Sequence, residues 1–331
     1  MQLKGQTILI TGGAGFIGSN LCEYFLQNNN VVCFDNLSTG KKSTIESFLS
    51  NSNFTFIEGD IRNYDACVNA VKGCTIVLHQ AALGSVPRSI ADPITTNAVN
   101  ITGFLNMLQA TKEAGIKRFV YASSSSVYGD LAELPKVESK IGNPLSPYAV
   151  TKLVNEHYAQ VYRQLFGMEI LGLRYFNVFG KNQDPEGQYA AAIPRFIKAI
   201  LNNESPVIFG DGSQTRDFTY IKNVIHANEC AATTQNPEAF GKLFNVAYGI
   251  ETSVNELIDV LIREISNLKQ QTTNLKSQIS NLKPSYQPER KGDVKYSLAS
   301  IDQARMLIGF NPQYSFDQGI KEAVKWYVEN L

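Results

Sequence analysis

Short apolar runs alternate with longer stretches of helical period from the start of the chain. "TILIT" (7–11), "NVVCFD" (30–35), "FTFIEGD" (54–60), "TIVLHQA" (75–81), "RFVYASS" (118–124) and "EILGLRYF" (169–176) are rich in Val, Ile, Phe and Tyr and read as strands. Several lack the polar–apolar alternation of a half-exposed strand, which suits a parallel sheet buried on both faces. Helical segments over 15–28, 95–114 and 147–166 separate them. This repetition predicts an α/β fold: a doubly wound parallel sheet with right-handed crossovers.

After about residue 180 the rhythm breaks. A helical stretch over 190–203 precedes a short strand "PVIFG" (206–210), and "GKLFNVAYG" (241–249) reads as one more strand returning to the main sheet. The expected organisation is a sheet domain over 1–180, with 217–248 returning to it, and a smaller mixed α/β lobe from 181–216 and 249–331. Three tandem heptads, "ISNLKQQ", "TTNLKSQ" and "ISNLKPS", occupy 265–285. Ile265, Thr272 and Ile279 repeat at one seam position and Leu268, Leu275 and Leu282 at the other. Ser253 and Glu256 fit a capping box at the start of that helix, and Pro284 ends it. The heptads read as a surface extension or insertion, with a partner contact as the alternative.

The totals narrow the function. At 331 residues the chain is long for one compact core. Its 30 basic and 30 acidic side chains balance, so no basic excess points to nucleic acid. The five cysteines form no CxxC pair and read as reduced, buried thiols; no metal is expected. The N-terminus enters a strand pattern directly, without a charged, apolar leader. No apolar run reaches membrane-spanning length. A cytoplasmic protein without glycans is expected.

Chemistry enters with "ILITGGAGFIGSN", which places Gly12, Gly15 and Gly18 between a strand and a helix. In that context the glycines let backbone approach a pyrophosphate, and the helix N-terminus supplies oriented N–H groups. Asp35 ends the second strand, where a carboxylate accepts hydrogen bonds from both ribose hydroxyls and repels a 2′-phosphate; NAD is favoured over NADP. Lys41 and Lys42 nearby keep NADP open. Asp60 and Ile61, at the end of the third strand, flank the adenine, although Asp60 alone suits an ordinary turn.

"SPYAVTK" sets Tyr148 and Lys152 four apart on one helical face. "RFVYASSSSVYG" ends a strand in serines, Ser124 among them, where ligands of an open α/β sheet sit. A phenol titrates near ~10 unperturbed, and a neighbouring ammonium favours the phenolate. Tyr148 then becomes a base for a hydroxyl proton while NAD takes hydride from the same carbon.

On "TGGAGFIG", "YAVTK" and "LRYFNVFG" the chain resembles the extended short-chain dehydrogenase/reductase family over nearly its whole length. "AALGSVPRSIADP", "GNPLSPYAVTK" and "RYFNVFGKNQDPEGQYAAAIP" are similar to nucleotide-sugar epimerases, in particular those acting on UDP-N-acetylglucosamine at C4. The resemblance implies a Rossmann NAD domain and a nucleotide-sugar lobe. It implies Tyr148 as base, Lys152 as its electrostatic partner, Ser124 as a shared hydroxyl and Asn100 as a support from a neighbouring helix. Phe16, Ile17, Asn36, Ala81, Ala82 and Tyr175 join the cofactor site by the same resemblance. Asn177, Val207, Phe209, Arg216, Arg290 and Asp293 are implied to hold UDP. Gly84, Ser85, Ser125, Ala191 and Ser297 are implied to form the sugar wall, the small Ser297 leaving room for an N-acetyl group.

Ser125-Ser126 stands where related dehydratases carry Asp-Glu, which argues against dehydration. UDP-glucose and UDP-uronate epimerisation, with Arg88 serving a C6 carboxylate, remain alternatives, as do a decarboxylase and an NAD-bound scaffold without catalysis. The family's homodimer, a four-helix bundle built from 95–114 and 147–166, is the implied assembly.

Overall fold

Strand residues alternate between two separate hydrophobic clusters. Ile8 and Ile10 join one while Leu9 joins the other; Ile76 and Leu78 oppose Val77, and Val120 and Ala122 oppose Phe119 and Tyr121. Period-two alternation with both faces apolar is what a sheet packed between two helical layers requires. The computed structural model, which describes residues 2–186, 191–269, 279, 281–289 and 295–331, has this sheet at its centre.

The first half runs β1 (Thr7–Thr11), α1 (Phe16–Phe25), β2 (Asn30–Asp35), β3 (Phe54–Glu58), α2 (Tyr64–Ala70) and β4 (Ile76–His79). It continues through α3 (Val86–Ala91), α4 (Pro93–Asn97), α5 (Phe104–Glu113), β5 (Arg118–Ser124), α6 (Pro147–Phe166) and β6 (Glu169–Tyr175). Next come β7 (Val178–Phe179), α7 (Ala192–Leu201), β8 (Val207–Phe209), β9 (Thr215–Asp217), β10 (Thr219–Tyr220), α8 (Ile221–Thr233) and β11 (Leu243–Val246). β12 (Glu251–Ser253), α9 (Val254–Lys269), β13 (Ser285–Gln287), α10 (Asp302–Ile308) and α11 (Phe316–Asn330) complete the described strands and α-helices.

The seven-stranded sheet has the order β11-β6-β5-β4-β1-β2-β3 with every pair parallel. β11 is the returning strand expected over 241–249, and it pairs with β6. The strand order reverses between β1 and β4, so a crevice opens there beyond the carboxyl ends. Three two-stranded ribbons, β7–β10, β8–β13 and β9–β12, lie outside this sheet.

Local signals explain α6 closely. Ser146 caps it by accepting from Ala149 N, Pro147 occupies the first turn, and Gly167 ends it at φ +67. The single helix expected over 95–114 is instead α4, a π turn at Ala98–Gly103, and α5. The wider turn carries Asn100, which bonds across to the loop after β4.

The capping box of α9 is present: Ser253 N donates to Glu256 Oε2 at 2.8 Å and Glu256 N to Ser253 Oγ at 3.2 Å. The heptad seams correct the surface-or-partner expectation wherever they are described. Ile265 and Ile279 are buried in the protein's own core, and Leu268 and Leu282 pack against it. Ile265 and Leu268 face inward because α9 lies on α7 and α11. Thr272 and Leu275 lie outside the described residues.

Ile265→Ala is expected to lower the unfolding free energy by about 2–5 kcal/mol, measured by urea denaturation. An unchanged midpoint with altered sedimentation would return the seam to a partner contact.

Candidate active site

The β1–α1 turn is closed too tightly for side chains. A Cβ on Gly18 would stand 2.0 Å from Gly12 O, and one on Gly12, at φ +66, would stand 2.8 Å from Ala81 Cα. The N-terminus of α1, which no side chain caps among the described residues, therefore opens onto a cavity of about 410 Å³. Gly12, Gly15, Phe16, Ile17 and Gly18 form its floor, with Asp35, Asn36, Ile61, Ala81 and Ala82 around it. The cradle that a Cβ would fill, together with first-turn amides that no side chain caps among the described residues, fits the pyrophosphate of a dinucleotide.

Asp35 is buried and accepts from Ala14 N at 3.0 Å and Leu37 N at 2.8 Å. Burial raises its carboxyl above the usual range, opposed by those amides. Asp60 departs from expectation. β3 ends at Glu58, and Asp60 follows it outside the cavity lining. Its carboxylate is taken by Arg62 at 2.6 Å and Asn36 Nδ2 at 2.9 Å, and Arg62 pulls it down to about 2. Asp60 thus holds Asn36, while its neighbours Gly59 and Ile61 line the cavity.

Tyr148, Lys152 and Ser124 line the same cavity from α6 and the end of β5. Lys152 Nζ donates to Ala122 O at 2.7 Å and stands 5.9 Å from the Tyr148 ring centre. Burial raises the Tyr148 phenol, against a lowering contribution from the Ser124 hydroxyl. Burial also brings Lys152 down to about 8, opposed by Glu156. Without ligand the phenol is protonated at neutral pH, so a positive charge brought into the cavity is what would free its proton.

Asn100 does not line the cavity. It accepts from Leu83 N at 2.8 Å and donates to Leu83 O at 3.2 Å and Thr151 Oγ1 at 3.1 Å. It ties the β4 loop to α6 and acts through them. Tyr175 lines the cavity, donates to Gln80 Oε1 at 3.1 Å and accepts from Asn228 Nδ2 at 2.9 Å.

A second cavity of about 220 Å³ shares Asn177, Val178 and Gln183 with the first. Ala191, Val207, Phe209 and Arg216 line it. So does Arg195 of α7, which in the sequence has no signal beyond its place in an amphipathic helix. Arg290 and Asp293 lie outside the described residues. Gly84 reaches the first cavity, whereas Ser85 caps α3 by accepting from Arg88 N at 3.2 Å. Ser125 and Ser297 line neither cavity. Among the described residues the Gln183 side-chain oxygen, buried in the common wall, has no hydrogen-bond partner, an acceptor suited to a ligand hydroxyl or amide.

Two further acids are not apparent from the sequence pattern. Asp217 is fully buried and accepts from Tyr248 N at 2.9 Å, Gly249 N at 3.1 Å and Ala299 N at 3.3 Å, joining three segments next to Arg216. Burial pushes it up to about 7. Glu156 accepts from Ser123 Oγ at 2.6 Å and from Arg174 at 2.9 and 2.8 Å. The detectable signals are Glu156 at four-residue spacing after Lys152 and a lone arginine in an apolar strand.

Among the described residues no helix is long and apolar enough to cross a membrane. A model of the NAD dependent epimerase/dehydratase family matches residues 8–247. The chain is 39% identical over 98% of its length to a putative UDP-glucose 4-epimerase of Methanocaldococcus jannaschii, covering 99% of that protein. It is similar in structure to a UDP-N-acetylglucosamine 4-epimerase from Methanobrevibacter ruminantium solved with UDP-N-acetylmuramic acid, at TM-score 0.89 and 38% identity over 99% of this chain and 100% of that one. A UDP-glucuronic acid 4-epimerase from Bacillus cereus, solved with UDP-glucuronic acid and NAD, matches at TM-score 0.86 and 32% identity, covering 98% and 100%.

Gly18→Ala should force the β1–α1 turn apart. Dinucleotide affinity by calorimetry is expected to fall about tenfold or more with the far-ultraviolet spectrum unchanged.

Proposed function

The chain belongs to the NAD dependent epimerase/dehydratase family, and from that premise we propose that it is a UDP-sugar 4-epimerase, with UDP-N-acetylglucosamine and its galacto epimer as substrates. The observation carrying this reading is the convergence of Tyr148, Lys152 and Ser124 on the cavity floored by the glycine turn, whose wall is shared with a second, arginine-lined one. When bound, NAD supplies a reversible hydride acceptor and a positive ring beside the phenol.

Tyr148 takes the O4 proton from the sugar, and Lys152 stabilises the phenolate during that transfer. Ser124 hydrogen-bonds the same oxygen. Arg216 and Arg195 hold the diphosphate with charge-assisted bonds, and Arg290 with Asp293 takes part by family resemblance. The hexose is gripped loosely enough to turn about its bond to the diphosphate and present its other face. Tyr148 then returns the proton.

The N-acetyl preference is supported by small residues, Gly84 and Ala191, in the cavity walls. Plain and C6-carboxylate sugars form the second reading, favoured by relatives named for UDP-glucose and UDP-glucuronic acid. Ser125 and Ser126 after Ser124 supply no acid–base pair for dehydration. The assembly proposed is a homodimer through a four-helix bundle of 95–114 and 147–166, on which Val161 and Leu165 are exposed. Five unpaired thiols suit a reducing compartment, and the cytoplasm is proposed, with the product feeding glycan synthesis.

Purified protein incubated with UDP-N-acetylglucosamine, UDP-glucose and their uronates, followed by chromatography, is expected to interconvert C4 epimers of the first. No net absorbance change at about 340 nm is expected. Steady NADH release would make it a dehydrogenase, and carbon dioxide from UDP-glucuronate a decarboxylase. Tyr148→Phe should lower kcat by about 10²–10⁴ with bound NAD retained. Leu165→Glu should yield monomers by analytical ultracentrifugation.

A further inference from the structure

Behind the catalytic group lies a buried ion pair that touches neither cavity. Glu156 follows Tyr148 by eight residues and Lys152 by four, so all three share one face of α6. Its carboxylate accepts one hydroxyl hydrogen bond, from Ser123, and two from Arg174. Arg174 also donates to Glu138 O at 3.1 Å, and its guanidinium stands 4.8 Å from the Tyr128 ring centre. Both charged side chains are almost wholly removed from water.

Such a pair is a poor device for stability. Desolvating two charges is costly, and well-packed apolar residues often serve as well. Its position points to electrostatics instead. Lys152 is buried, and its ammonium donates to a neutral carbonyl. Tyr148 and Glu156 face it from α6. From β4, His79 is held neutral by burial, down to about 3, with Nδ1 against Thr11 Oγ1 at 2.8 Å. From β5 it meets Ala122 O, and β6 carries Arg174, whose charge is committed to Glu156. Among these groups Glu156 carries the one negative charge.

We propose that Glu156 is a positioning residue of the catalytic site: aimed by Arg174 and Ser123, its carboxylate holds Lys152 as the ammonium and fixes the end of β5 that carries Ser124. Here the structure gives the pair a catalytic reason to be present. The inference rests on the reading of Tyr148 as the epimerase base.

The test compares Glu156→Gln, Glu156→Asp and the double variant Glu156→Gln/Arg174→Met, which leaves neither member of the ion pair charged without the other. For each, kcat and KM are followed from acid to alkaline pH, with bound NAD and the thermal midpoint. The Lys152 titration is read by NMR of the labelled lysine side chain, which needs no turnover. In Glu156→Gln and in the double variant, Lys152 is expected to titrate about one unit lower, tenfold less ammonium at a given alkaline pH. The alkaline limb of kcat should move down with it, and KM and bound NAD should hold. Glu156→Asp should restore much of the profile. The double variant should recover thermal stability yet keep the narrowed profile. A double variant with the wild-type profile and Lys152 titration would overturn the proposal, as would a kcat loss uniform in pH that tracks the thermal midpoint. A wild-type protein that epimerises no UDP-sugar would sink the functional reading instead, and the NMR titration would still decide whether Glu156 governs Lys152.

Discussion

One buried hydrogen bond organises the site: Lys152 Nζ to Ala122 O, 2.7 Å. It ties the first turns of α6 to the carboxyl end of β5, well upstream in the chain. Because every strand of the main sheet points the same way, the ends of β1, β2, β4, β5 and β6 open on one edge. Drawing α6 onto that edge puts Tyr148 beside Ser124 and both beside the glycine turn. If α6 slid by one residue, the phenol would leave the cavity, since neighbouring side chains on a helix diverge by about 100°.

The same burial that positions these groups works against their charged forms. The phenol is pushed up and the ammonium down to about 8, so near neutral pH the resting phenol keeps its proton while Lys152 remains largely charged. Proton transfer is then conditional: it becomes favourable when positive charge enters the cavity beside Tyr148. Such a site stays quiet without its dinucleotide. The second cavity contrasts with it. Arg195 and Arg216 keep their charge at any pH of interest and suit a permanently anionic diphosphate. On the proposed reading, recognition of the nucleotide and conditional chemistry at the sugar occupy adjoining spaces that share Asn177, Val178 and Gln183.

Polar residues near the site divide by what they are already bonded to. Asp60 faces Arg62 and Asn36 rather than the cavity. Ser85 is occupied as a helix cap, and Asn100 holds both backbone groups of Leu83. Tyr175 is fixed between Gln80 and Asn228, which leaves its ring as part of the cavity wall. Each has the right residue type for a ligand contact, and competing partners decide otherwise for the first three.

Features settled between near neighbours along the chain can be read from the residues themselves. β1, β2 and β5 have the bounds their apolar runs suggest, and α6 begins and ends at its Ser-Pro and Gly signals. The glycine turn and the four-residue spacing of Tyr148 and Lys152 are equally local, and the residue pattern suffices to reveal them. Long-range packing alone assigned the partners: Glu156 with Arg174, Asp217 with Ala299, Lys152 with Ala122, and the heptad positions Ile265 and Ile279 turned into the core. A helix, a turn or a cap is selected by torsions and neighbours along the chain, whereas the fate of a carboxylate or an apolar seam depends on which distant segment removes it from water.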